Sequence, residues 1–261
     1  MIARRFFSSN PISDSLAFLG GIFSLLWETV RFILRGAVSY RHVVRQMAEV
    51  GVGSLFVALV TVGFSGAVSA LYIAIQLVSF GQQGYVGGLV GKSLAIEIAP
   101  VITAVVVAAR AGSAMAAELG TMTVTEQVDA LRSLATSPTQ YLVVPRVLGT
   151  LLMLPLITVL ANVAGAIGGL LASTANGVSV GAFWDSYQRI VTPADQIGVL
   201  LKTIPFALII ALVGCRQGLR TSGGAAGVGR STTSAVVLAM IGIFIADFFL
   251  TALQNAASLK F

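Results

Sequence analysis

Apolar residues dominate this chain in long runs, and the polar positions between them fall into a regular order. Five runs meet or exceed the roughly 20 residues a helix needs to cross a bilayer. They cover approximately 52–79, 86–109, 142–174, 197–216 and 234–254. The third contains Pro145 and Pro155, so it either begins as a helix outside the bilayer or kinks at Pro155. The first 50 residues read differently. Leu16, Leu19, Phe23, Leu26, Val30 and Ile33 recur at spacings of three and four, which is one helical stripe. Glu28, Arg31 and Arg35 interrupt it too often for a comfortable span. The pattern predicts an amphipathic helix over about Pro11 to Ala37, lying in the membrane interface. Arg4 and Arg5 ahead of an apolar run also suit a signal peptide, but no convincing small-residue cleavage site follows. The chain thus divides into an interfacial helical region, 1–50, and a membrane domain, 51–261.

Composition supports this division. Of 261 residues, 56% are hydrophobic and 10% charged, against roughly 25% charged in soluble domains. The mean hydropathy is +0.93. The fold class is therefore an all-α polytopic membrane protein. A net charge of +6 would suggest nucleic acid in a soluble protein; here the position of the charges matters more than their sum. Twelve basic residues fall on one side: Arg4, Arg5, Arg31, Arg35, Arg41, Arg45, Arg110, Arg132, Arg146, Arg216, Arg220 and Arg230. Four fall on the other: Lys92, Arg189, Lys202 and Lys260. The bias puts the N-terminus inside, the C-terminus outside and the connection after the second span in the cytoplasm. Cys215 has no disulfide partner in the chain, and His42 lacks the companions of a metal site.

Two glycine-rich stretches need weighing. GGLVGKS, Gly87 to Ser93, resembles the end of a phosphate-binding loop, but position 86, where that motif requires glycine, is Val. No ATPase is encoded here. TSGGAAGVGRSTT, Thr221 to Thr233, reads as a turn-forming loop with Ser231 or Thr232 capping the next helix; a docking or gating role is the sharper alternative. Gly84/Gly88, Gly87/Gly91 and Gly165/Gly169 have the small-xxx-small spacing of close helix contacts, within the chain or between two copies.

Three charges lie inside predicted spans: Glu97, Lys202 and Asp247. Each costs roughly 2.5–3.5 kcal/mol at a bilayer centre on insertion scales. At about 1.5 Å per residue they fall roughly 15, 8 and 10 Å from the outer helix ends. All three therefore share the outer half. One Lys between two carboxylates would offset most of the desolvation. The cluster either holds three helices together or faces a cavity for a charged or zwitterionic ligand, and the two roles are compatible.

The stretch RAGSAMAAELGTMTVTEQVDAL, Arg110 to Leu131, is unusually polar for its position. Thr123 to Glu126 fits a capping box, in which the threonine hydroxyl accepts from the Glu126 backbone and the glutamate reaches back. Val124, Val128 and Leu131 then align on one stripe, with Glu126, Gln127, Asp129 and Arg132 largely off it. The helix should end before Pro138. It is either a plain interfacial helix or one shaped for a groove on another subunit.

This stretch resembles the MlaE/YrbE permeases, membrane subunits of lipid-transporting ABC systems that include chloroplast-envelope lipid importers. EIAPVITAVVVAARAGSAMAAELGTM, YLVVPRVLGTLLMLPL, TSGGAAGVGRSTT and DFFLTAL are also similar to family segments, in family order. The resemblance implies an N-terminal interfacial helix, five membrane-spanning helices and a short cytoplasmic coupling helix within about 112–135. It implies a homodimer, a separate cytoplasmic ABC ATPase, an MCE-domain lipid-binding protein outside, a phospholipid substrate and no cofactor of the permease's own. Glu118, Thr123, Glu126, Gln127, Asp129 and Arg132 would belong to ATPase coupling, and Glu97, Lys202 and Asp247 to the membrane cavity. The host membrane would be a bacterial inner membrane or a plastid inner envelope. One departure stands out: Ile96 occupies the place where bacterial relatives often carry Arg. A secondary transporter using Glu97 and Asp247 as a proton relay is the alternative. An intramembrane hydrolase would need a nucleophile paired with a base, and the one histidine lies outside the spans.

Overall fold

The computed structural model describes residues 11–36 and 38–258, all in helices and short connections with no strand among them. Arg4, Arg5, Ala37 and Lys260, which enter the charge pattern and the first helix boundary, lie outside the described residues. Helix α1 covers Pro11–Leu34 and α2 covers Tyr40–Ser79. A third rod runs without a break from Gln83 to Val124. It contains α3 (Val86–Ser93), α4 (Ala99–Val107) and α5 (Ser113–Val124), joined by π-helical turns at Leu94–Ile98 and Ala108–Gly112. Then come α6 (Gln127–Ser133), α7 (Val144–Ala175), α8 (Val180–Ile190), α9 (Pro193–Leu219) and α10 (Gly224–Ser258).

Six helical segments are long and apolar enough to cross a membrane, α1 among them. Its contacts with the rest of the bundle lie at one end. The Ala17 carbonyl accepts a hydrogen bond from Arg216, in the last turn of α9. Eleven residues on, roughly 16 Å along the helix, the Glu28 carboxylate accepts one from Thr139, just before α7. Both anchors sit at the same end of the bundle, the end that also carries α6 and the α9–α10 turn. Helix α1 therefore lies across that end, here called proximal. Leu16, Leu19, Phe23 and Val30 of its apolar stripe face outward, while Phe18, Ile22 and Leu25 pack on the core.

The spans are longer than the apolar runs suggest. Helix α2 has 40 residues, about 60 Å against a hydrocarbon core of about 30 Å. Its first turns hold Arg41, the Arg45–Glu49 ion pair and His42, whose ring meets Tyr141 edge-on. The second span does not stop at 109: the π-turn at Ala108–Gly112 passes directly into α5, so Glu118 stands on the spanning rod rather than on a separate coupling helix. The fourth and fifth reach beyond their expected limits as well, and Pro155 lies inside an uninterrupted α7.

Glycine sets how closely the helices approach. A Cβ on Gly66 would collide with the Gly165 backbone, and one on Gly168 with the Gly63 carbonyl oxygen. Helices α2 and α7 thus meet backbone to backbone, the arrangement that replaces hydrophobic driving force in lipid. We expect Gly66→Ala to cost about 1–3 kcal/mol through overpacking, read as a lower unfolding midpoint in detergent. A variant as stable as the parent would show that the helices separate freely.

The other small-residue pairs are spent on α8, an 11-residue helix that the sequence reading did not anticipate. Gly87 abuts the Phe183 backbone, the Gly88 N–H donates to Ser186 Oγ at 2.8 Å, and Gly91 faces the Tyr187 ring. Gly84 faces open space. Ser179 caps α8 by accepting from the Ala182 N–H, a signal visible in the sequence. The GGLVGKS stretch is accordingly helical and packed against α8, not a phosphate loop.

Two local expectations fail. Thr123 and Glu126 form no capping box. Helix α5 runs on through Val124, so the Thr123 hydroxyl donates back to the Leu119 carbonyl at 2.8 Å. The chain then turns at Glu126, whose φ is +62°, and its side chain makes no capping bond. Keeping the backbone bonds of α5 outweighs ending it early. The glycine-rich stretch after α9 is likewise mostly helix. Only the turn at Thr221–Gly223 is irregular, with Gly223 and Gly224 at positive φ. Ser231 and Thr232 lie inside α10; Ser231 shares a hydrogen bond with Thr221 at 2.9 Å rather than capping.

Candidate functional site

The three charges in the spans meet. Lys202 is 1% exposed, and its ammonium carries three protons. They go to Asp247 Oδ1 at 3.0 Å, the Ile96 carbonyl at 3.0 Å and Thr251 Oγ1 at 2.7 Å. The Glu97 carboxylate lies farther off, at 3.6 Å. Asp247 is buried, whereas the Glu97 side chain is 52% exposed.

Local sequence explains the geometry. Pro100 has no N–H to offer the Ile96 carbonyl four residues earlier. The rod opens into a π-turn at Leu94–Ile98, and the Lys202 ammonium takes the freed acceptor. Asp247 and Thr251 are four apart on α10 and so present one face. Burying a cation is costly unless pairing and hydrogen bonds offset it, and here every ammonium proton has an acceptor. Thr251 and the Ile96 carbonyl were not picked out from the sequence, although Pro100 four residues after Ile96 and the i,i+4 pair Asp247–Thr251 were legible signals.

The proximal group is arranged differently. Val128 is buried and Leu131 packs on the core, so these two hold α6 against the bundle, while Val124, the first member of the expected stripe, belongs to α5. The helix ends at Ser133, ahead of Pro138. Glu126, Gln127, Asp129 and Arg132 are exposed; Asp129 pairs with Arg132 at 2.7 Å, and Gln127 donates to Thr125. Glu118 is separate from this face: it accepts from the buried Arg146 on α7 at 2.6 Å.

A glycine seam fastens this end to α9. Cβ atoms at Gly214 and Gly218 would lie 2.9 Å from the Gly112 oxygen and 2.6 Å from Leu119 Cβ, and Gly120 sits against Thr221. Helices α5 and α9 therefore have almost no play between them. The rod ending in α5 carries Glu97, and α9 carries Lys202. The α6 end and the ion cluster thus share two rigidly seated elements. Sequence reasoning missed this seam, since its partners lie about a hundred residues apart.

Next to the cluster, Ile98 and Ile102 line an open groove of about 600 Å³ with Val60, Thr61, Phe64, Ser65, Val68 and Ser69 of α2. An ionic centre inside membrane spans is a candidate functional site, and a polar helix stands at the far end of the same rods. The family model "Permease MlaE" matches residues 43–253. A probable ABC transporter permease protein of Synechocystis sp. is 45% identical over 230 residues, covering 88% of each chain. The protein TRIGALACTOSYLDIACYLGLYCEROL 1, chloroplastic, of Arabidopsis thaliana is 41% identical over 225 residues, 86% of this chain and 64% of that one. A probable ABC transporter permease protein of Rickettsia prowazekii is 37% identical over 235 residues, 89% of this chain and 91% of the relative. The chain belongs to the MlaE permease family.

Proposed function

We propose that the chain is the permease subunit of an ABC-type lipid transporter, moving phospholipid or a related lipid between its own membrane and an MCE-domain lipid-binding partner. It works as a homodimer and performs no chemistry itself. A separate ATPase binds the exposed face of α6, with the proximal end in the cytoplasm, as the basic bias there argues. The observation that carries the reading is the α5–α9 seam. A push on α6 moves α5 and α9 together, and with them Lys202 and Glu97, the latter preceding the groove residue Ile98. The groove suits acyl chains, and the half-exposed Glu97 suits a headgroup. The membership of an ABC permease family and the names of the relatives support the same class.

The test is purification from native membranes followed by reconstitution. A P-loop ATPase and an MCE-domain protein should co-purify, and ATP should drive lipid transfer by the reconstituted complex. Transport by the isolated chain on a proton gradient, without any ATPase, would replace this reading with a secondary transporter.

A further inference from the structure

The hydrogen-bond inventory of the ion cluster says which headgroups it can receive. Resting on the lipid-permease reading, we infer that the site at Glu97 selects lipids whose headgroup brings a cation or hydrogen-bond donors, and discriminates against a bare phosphomonoester. The charged residue that first suggests phosphate binding is Lys202. It has no capacity for one: it is 1% exposed, and its three protons are committed to Asp247, Thr251 and the Ile96 carbonyl. A phosphate would have to displace a buried carboxylate that is itself covered.

What the cluster shows to a ligand is therefore Glu97, with 52% of its side chain exposed. One cation faces two carboxyl groups, and the exposed member is the Glu97 carboxyl. The preceding residue, Ile96, supplies no second cation. The next cation on the rod, Lys92, is exposed five residues earlier and makes no ion pair with Glu97. The Ser93 hydroxyl donates to the Leu89 carbonyl. A carboxylate in this setting accepts from an ammonium or hydroxyl and repels a doubly charged phosphate. Phosphatidylethanolamine meets the requirement, with its ammonium on Glu97 and its chains along Ile98 and Ile102; phosphatidic acid does not.

The experiment is native mass spectrometry of the purified full chain with equimolar phosphatidylethanolamine and phosphatidic acid of identical acyl chains. Because Glu97 is half exposed, the preference should be modest, roughly fivefold for the ethanolamine lipid. Glu97→Gln should bring the ratio close to one without loss of fold, since Glu97 makes the longest contact of the cluster. Ile96→Arg, which adds a cation beside it, should shift the ratio toward phosphatidic acid. Retention of phosphatidic acid as well as or better than phosphatidylethanolamine by the parent chain, or a ratio that Glu97→Gln leaves unchanged, overturns the selectivity and leaves lipid transport standing. Failure to retain either lipid overturns both.

Discussion

Replacing Lys202 by Met should destabilise the protein by about 3–5 kcal/mol, the usual result of removing one partner from a buried ion pair. The substitution keeps the length of the side chain and removes the ammonium. Asp247 is then left buried with no cation, while the Ile96 carbonyl and Thr251 lose their donor. The double variant Lys202→Met with Asp247→Leu removes both charges and should recover most of the loss, because an apolar pair of similar volume is often as stable as the ionic one. Unfolding midpoints in one detergent would read both effects. If the single variant unfolds with the parent, Lys202 is not the tie between the third rod, α9 and α10 that its bonds suggest. The same geometry separates the two carboxylates. Asp247 belongs to the structural pair, so its neutralisation should cost folding. Glu97, longer in contact and half exposed, should tolerate Gln and show its effect in transport instead.

Reversing the charge at Glu126 and Asp129 together should abolish ATP-driven transport while leaving the fold intact. Both side chains are exposed on the proximal end. Glu126→Lys keeps a Cβ at the same positive φ, so the turn gains no new strain. Asp129→Lys loses one exposed pair with Arg132, worth at most about 1 kcal/mol. What changes is the face offered to another subunit, from acidic to basic, and like-charge contact across an interface costs several kcal/mol. ATPase retention on the purified variant and lipid transfer by the reconstituted complex are the measurements. Survival of both would remove α6 from the coupling role.

The helical membrane class follows from the sequence, because lipid leaves a chain few options. Every backbone group must be satisfied within the segment, so an apolar run of about 20 residues reads almost directly as a span. The grouping of Glu97, Lys202 and Asp247 was legible for a similar reason: three isolated charges in hydrocarbon are too costly to stand apart. Local signals did less well where tertiary structure competed with them. Thr123 and Glu126 have the spelling of a capping box, yet α5 keeps its own hydrogen bonds and the threonine is absorbed into it. Ser231 and Thr232 read as caps, yet α10 begins seven residues earlier. Helix α8 was missed because it is short and partly polar, and its stability comes from Gly87, Gly88 and Gly91, about a hundred residues away.

What the sequence determined by itself was which residues must be buried and which types must find partners. Only the tertiary structure decided who those partners are: that Lys202 spends its protons on Asp247, Thr251 and Ile96, leaving Glu97 outward, and that Glu118 serves Arg146 rather than α6. The reason is physical. Apolar burial depends on composition and period, which one segment carries alone, whereas the saturation of a donor depends on distances between segments far apart in the chain.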